Sequence, residues 1–268
     1  VRAAREWVGR HLVLLFALAV LFYMVLPVLV VILMSFNQPK SRLGYDFQGF
    51  TLGNWTHLCD PYQLCSSVSV SLRIGLLATG LATLLGSLMA FAMVRHHFRG
   101  RSASNLMIFL PMASPEIVLG SSLLALFVNG GLAGKLGFWT IFVAHVMFCL
   151  SFVVITVKAR LAGLDPRLEQ AAADLYANEW QTFWRVTFPL VVPGIVSAAL
   201  LSFSLSFDDF IITNLNSGQT VTFPMYVWGA AQRGVPMQVN VIGTVMFLLA
   251  LSLVVGQQLV TRARSRPA

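Results

Sequence analysis

Long apolar runs separated by short polar stretches dominate this chain. A helix needs about 20 mostly apolar residues to cross the roughly 30 Å hydrocarbon layer of a bilayer. Six runs are long enough, at about 12–36, 67–94, 103–128, 138–157, 193–215 and 239–260. The pattern predicts an all-α, polytopic membrane protein with six transmembrane helices. The first run follows Arg2, Arg5 and Arg10, as in a secretory signal. It exceeds the usual apolar core of about 7–15 residues, and no small-residue cleavage site follows, so a retained helix is expected. The chain then divides into residues 1–66, the first span and a polar segment; 67–261, a core of five spans containing the polar loop 158–189; and a basic tail, 262–268.

The positive charges sort the loops into two sides. With the N-terminus inside, Arg2, Arg5, Arg10, Arg95, Arg99, Arg101, Lys158, Arg160, Arg167, Arg185, Arg262, Arg264 and Arg266 are inside. Only Lys40, Arg42, Arg73, Lys135 and Arg233 fall outside, which is 13 against 5 of the 18 basic residues. This is the asymmetry of the positive-inside rule. It places both termini and loop 158–189 on the cytoplasmic side.

Composition agrees with a lipid solvent. The chain is 57% hydrophobic and 10% charged, with a mean hydropathy of +0.78, where soluble domains carry about 25% charge. The net charge of +8 is not organised with exposed aromatics, so nucleic acid is not an expected partner. Enzymatic chemistry finds no support. Gly134-Lys135 lacks the following Ser/Thr of a phosphate loop. No two of His11, His57, His96, His97 and His145 stand i, i+4 on a helix, and no metal or cofactor is expected. His145, inside a span, reads as a packing residue with satisfied bonds. Cys59 and Cys65 can close a small disulfide in an oxidising compartment or remain free thiols.

Loop 158–189 is the most informative polar stretch. Asp165 suits an N-cap with Pro166 at the first helical position. Leu168, Ala172 and Leu175 then repeat at i, i+4, i+7, and Asn178 is placed to end this helix and cap another, before Pro189 forces a break. Two short amphipathic helices with a small-residue face suit a groove on another protein. They equally suit the membrane surface, helped by Trp180 and Trp184.

The loop resembles the signature of binding-protein-dependent ABC importer permeases, Glu-Ala-Ala, then Gly-Ala, then Pro thirteen residues after the Gly. Ala171, Ala172, Asp174, Leu175, Ala177 and Pro189 match. Gln170 replaces the usual Glu, beside Glu169, and Tyr176 replaces the Gly, which puts the usual bend of the loop at issue. Ser-Leu-Ser-Phe-Asp208-Asp209-Phe210, Pro115-Glu116-Ile-Val and Gly234-Val-Pro-Met-Gln-Val-Asn240 resemble segments of the spermidine/putrescine branch. The resemblance implies the type I importer fold and uptake of a polyamine or another small cationic or organic solute. It also implies an ATPase dimer docked on residues 169–177, a second permease subunit, expected to be non-identical, and an external binding protein, with Tyr226 and Trp228 as candidate outer contacts. A secondary transporter would need an ion-coupling site and usually an internal repeat, and neither is evident.

The intramembrane acids are the candidates for the pathway. Glu116 lies about 13 residues into the third span and Asp208 about 15 into the fifth, roughly 20 and 22 Å from the inner side at about 1.5 Å per residue. A carboxylate at a helix centre costs on the order of 2.5–3.5 kcal/mol, so these acids are expected at a wet cavity or a partner. Ser202, Ser206, Asp209 and Thr213 fall at i, i+4, i+7, i+11. That stripe turns Asp209 to the pathway and leaves Asp208 for a neighbouring helix or the second permease. The acids then either form an anionic ring for a polycation or hold the bundle together.

Overall fold

The computed structural model describes residues 2–39 and 46–264. Lys40, Arg42 and Arg266 lie outside the described residues, as do the last residues of the basic tail. Five helical stretches among the described residues are long and apolar enough to cross a membrane: His11–Ser35, Leu64–Arg95, Glu116–Lys135, Phe138–Ala162 and Glu179–Asp208. A shorter apolar stretch, Met237–Ser252, lies within the last helix. No strand forms among the described residues.

The chain divides into two compact units, residues 1–65 with 227–268, and residues 66–226. In the first, α1 (Arg2–Ser35) packs on α12 (Met237–Arg264). The sequence division grouped this last span with the middle ones; by contact it sits with the first. Gly243 permits the approach, since a Cβ there would lie 3.3 Å from Val31 Cγ1. Large apolar side chains of α1, from Leu12 to Leu33, stay exposed, as a lipid-facing helix requires. After α1 the backbone is pinned by side-chain amides. Asn37 Nδ2 donates to Asp46 O (2.9 Å), and its Oδ1 accepts from Gln48 N (2.8 Å). Asn54 Nδ2 donates to the carbonyls of Ser35 (3.1 Å) and Asn37 (2.8 Å). The short helix α2 (Gly53–Thr56) follows, and a disulfide joins Cys59 to Cys65 at the start of α3 (Leu64–Arg95). The choice the sequence left open is resolved as a bond.

In the second unit the central element is α6 (Phe138–Ala162), packed on α9 (Phe188–Asp208). Ile141, Ala144, Cys149, Val153, Val154 and Val157 of α6 are buried, as are Val191 and Ala198 of α9. Two spans predicted as continuous are broken. The third consists of α4 (Arg101–Ala113) and α5 (Glu116–Phe127). Pro115 has no N–H and disfavours a helical residue before it, and Ser114 is extended at φ −79°, ψ 140°. The fifth stops at Asp208, passes through an extended Asp209 (φ −62°, ψ 126°) and restarts as α10 (Ile211–Asn216).

Pro189 behaves in the opposite sense. It was expected to break the chain, yet helix runs from Glu179 to Asp208. A wide π turn at Phe183–Thr187, in which Phe188 N–H donates to Phe183 O, precedes the proline. The wider turn accommodates a residue that lacks an N–H and whose ring crowds the preceding turn. The loop before it holds α7 (Arg167–Asp174) and α8 (Glu179–Thr182), and α11 (Phe223–Ala231) follows α10.

Candidate functional site

The three intramembrane acids all stand at helix breaks. Glu116 is the first residue of α5 and is exposed; Asp208 is the last of α9 and is exposed. Asp209 is buried. Its carboxylate accepts from the N–H groups of Ile212 (3.4 Å) and Thr213 (2.7 Å) and from the Thr213 hydroxyl (2.7 Å). It thereby satisfies donors that the start of α10 would otherwise leave open.

The predicted stripe exists, but it faces inward. Ser202, Ser206, Asp209 and Thr213 are all buried, and His145 of α6 meets the last three. His145 Nε2 lies 2.9 Å from Thr213 Oγ1 and 3.3 Å from Asp209 Oδ2, and Nδ1 lies 2.6 Å from Ser206 Oγ. Because the Thr213 hydroxyl donates to Asp209, Nε2 must be the donor to Thr213. In a neutral ring Nδ1 then accepts from Ser206. The orientation expected for the two aspartates is therefore exchanged: Asp209 bonds a neighbouring helix and Asp208 is the open one.

The half-helix α10 is gripped from two sides. Asn216 Nδ2 donates to Gly120 O of α5 (3.2 Å), and Thr140 Oγ1 of α6 donates to Asn216 O (2.7 Å). At Gly120 a Cβ would lie 2.9 Å from Leu215 Cδ1 and 3.2 Å from Ile212 Cα, so α5 and α10 meet closely only because glycine is there. Irregular backbone at membrane depth is tolerated where protein buries it or where it lines a cavity. Broken helices of this kind form the substrate sites of many transporters.

The second candidate site is the loop between α6 and α9. Glu169 of α7 takes a two-pronged ion pair from Arg95 at the end of α3. Thr187 Oγ1 donates to the same carboxylate at 2.6 Å. The hydrogen bonds from Arg95 hold the Glu169 carboxyl below its ordinary range, burial opposes them, and Thr187 adds to the lowering. Ala172, one turn on, is only 8% exposed. The predicted stripe of Leu168, Ala172 and Leu175 is thus divided: Ala172 turns inward with Glu169, while Leu168 and Leu175 are exposed. The outward face carries Ala171, Asp174 and Leu175, at i, i+3, i+4, with Gln170 beside them.

The bend at Tyr176 survives the loss of glycine. Tyr176 adopts φ +60°; its N–H donates to Ala173 O (2.9 Å), and Ala177 N–H reaches Ala172 O (3.1 Å). This pair of bonds is the Schellman ending of a helix, in which the left-handed residue is usually glycine. An L side chain there costs about 1–2 kcal/mol. Asn178 then caps α8 with a reciprocal pair, Gln181 N to Asn178 Oδ1 (2.8 Å) and Asn178 N to Gln181 Oε1 (3.1 Å). Pro189 is the second residue of α9. Tyr226 and Trp228 lie on α11, with Trp228 exposed. Arg95, Thr187 and the His145 network were not singled out as site residues in the sequence; the lone histidine within a span was the available signal for the last.

The family described as "Binding-protein-dependent transport system inner membrane component" matches residues 82–264. The spermidine/putrescine transport system permease protein PotC of Haemophilus influenzae is 39% identical over 248 residues, 92% of this chain and 95% of that protein. The putrescine transport system permease protein PotI of Escherichia coli is 35% identical over 226 residues, 82% of this chain and 80% of that one. Among solved structures, a chain of a bacterial ABC transporter that imports the acidic polysaccharide alginate has a TM-score of 0.71 at 17% identity, covering 98% of this chain and 97% of that one. That likeness concerns the fold, which is the helical fold of ABC importer permeases. The family match over most of the chain, with relatives aligned nearly end to end, leads to one conclusion: this chain belongs to the inner-membrane components of binding-protein-dependent transport systems.

Proposed function

We propose that this chain is one of two membrane-spanning subunits of an ATP-driven importer of polyamines such as spermidine and putrescine. A binding protein outside delivers the solute, and two ATPase subunits inside drive its passage. The observation that carries the reading is the pair of exposed carboxylates, Glu116 and Asp208, each at a break in a membrane-spanning helix. A charge at that depth is costly against lipid and favourable beside water and a polycation. The relatives named for spermidine and putrescine support the same substrate class. Asp209, already engaged by Thr213 and His145, serves as a positioning group that holds α10 in place. Glu116 and Asp208 form a transient anionic station.

The orientation follows the 13 to 5 sorting of basic residues. Both termini and loop 158–189 are cytoplasmic, and the outward face of α7 meets the ATPase. The disulfide segment and α11 face outward, where Tyr226 and Trp228 meet the binding protein. The test is uptake of labelled spermidine by the complete complex in liposomes. Glu116→Gln with Asp208→Asn should lower uptake at least tenfold, with all subunits still assembled. Wild-type uptake by that double variant would end the anionic-station reading. Competition by other small cations, and not by polyamines, would move the substrate class.

A further inference from the structure

We infer that Tyr176 is an anchor for the ATPase subunit, its ring seated in an apolar cleft with a basic rim on that partner. The inference rests on the proposed docking of this loop and adds to it the residue that holds the contact.

The case begins with a backbone conformation unfavourable to tyrosine. Tyr176 occupies the left-handed position of a helix ending at φ +60°, where glycine fits without strain. The loop pattern that this segment resembles carries glycine there. A strained residue is usually held by packing that repays it, but Tyr176 is 97% exposed. Among the described residues the ring, at this exposure, gains nothing that offsets the strain, and glycine would serve the fold better. Strain that the surrounding structure does not repay points to a function.

The surroundings say what kind of partner fits. Leu175 is 82% exposed and Trp180 is 69% exposed, so three apolar side chains meet solvent within six residues. The corner is stiff: the Schellman bonds fix one side of Tyr176 and the Asn178–Gln181 box fixes the other. A preorganised aromatic loses little freedom on binding, which is why tyrosine and tryptophan recur as anchors. Asp174 and Glu179, both exposed, stand two residues before Tyr176 and three after it. Two acids beside the patch disfavour an anionic membrane surface and complement a cleft edged by Lys or Arg. The patch is also continuous with the outward face of Ala171, Asp174 and Leu175.

The experiment uses the permease pair in nanodiscs and the purified ATPase subunit, and reads the dissociation constant and the thermal midpoint of the permease. Tyr176→Gly should raise the dissociation constant tenfold or more while the midpoint holds or rises. Tyr176→Phe keeps the ring and should lose less than Tyr176→Gly. Equal or tighter ATPase binding by Tyr176→Gly would leave the ring to lipid or water and overturn the inference, as would a lowered midpoint, which would show that the ring serves the chain's own fold. Ala171→Arg separates the two levels. If it abolishes ATPase binding while Tyr176→Gly does not, only the anchor fails. If Ala171→Arg binds normally, the docking reading fails and the anchor with it.

Discussion

Arg95 and Glu169, 74 residues apart in the chain, are joined by a two-pronged ion pair that ties the end of α3 to α7. Thr187, next to α9, shares the same carboxylate. One acid thus gathers the end of α3, the helix α7 and the π turn that precedes α9. Replacing Glu169 by Gln, or Arg95 by Met, should loosen α7. The pair is partly exposed, so the loss should be about 1 kcal/mol, or roughly fivefold faster amide exchange across α7. Unchanged exchange in both variants would remove the clamp from the account.

The same pair sets a pH dependence. Glu169 is held below its ordinary range in the folded state, so near that range the unfolded chain binds more protons. The clamp's contribution is therefore full above the ordinary value of about 4.3 and is lost as pH falls through the lowered folded value. Protection of α7, corrected for intrinsic exchange, should be flat from pH 7 to about 5 and decline only below about 4. In Arg95→Met, which removes the main cause of the lowering, the decline should be smaller.

Asp209 and Asp208 should separate cleanly despite being adjacent. Asp209→Ala leaves the Thr213 hydroxyl and two N–H donors at the start of α10 without their acceptor, and each buried donor left unsatisfied costs about 1–3 kcal/mol. It should lower the thermal midpoint in detergent and the folded yield. Asp208→Asn should leave the midpoint unchanged and affect uptake. A stable, well-assembled Asp209→Ala protein would contradict the buried network.

Gly120 should not tolerate a side chain. Its Cβ would sit 3.2 Å from the Ile212 backbone, and backbone cannot swing aside as a side chain can. Gly120→Ala is expected to cost about 1–3 kcal/mol by overpacking and Gly120→Leu more, read again as thermal midpoint. Accommodation of leucine without loss would show that α5 and α10 do not meet as described.

The disulfide gives a check on orientation. In intact cells Cys59 and Cys65 should resist an impermeant thiol reagent until a reductant is added outside, and then react. Cys149 is buried and should stay unlabelled throughout. A reaction at Cys59 before reduction would mean the bond is absent. Closing this short loop should add about 2 kcal/mol, so Cys59→Ser should lower the midpoint of the whole protein measurably.

The apolar runs were legible because lipid demands length and composition above all else. The cap at Asn178 was legible because capping is local chemistry. The break at Ser114-Pro115 was not, since the run is apolar around it apart from Glu116 and reads through. Asp209 was misdirected by a periodicity argument that assumes one unbroken helix. The chain interrupts at Asp209 and restarts, so the stripe's partner, His145, decides where it points. Arg95 and Glu169 belong to no common local pattern, and a pair so far apart in sequence is set by the fold alone. Tyr176 departs from the pattern in a way that sequence makes visible, but its left-handed backbone and exposure become apparent only in three dimensions.

The π turn before Pro189 has a mechanical consequence. Because it carries the helix past the proline, Glu179 and Asp208 are the two ends of one rod of 30 residues, about 45 Å long at 1.5 Å per residue. A joint at Pro189 would absorb a push delivered at α8. A continuous helix instead conveys axial displacement at Glu179 to the carboxylate of Asp208 without a chain of intermediate switches.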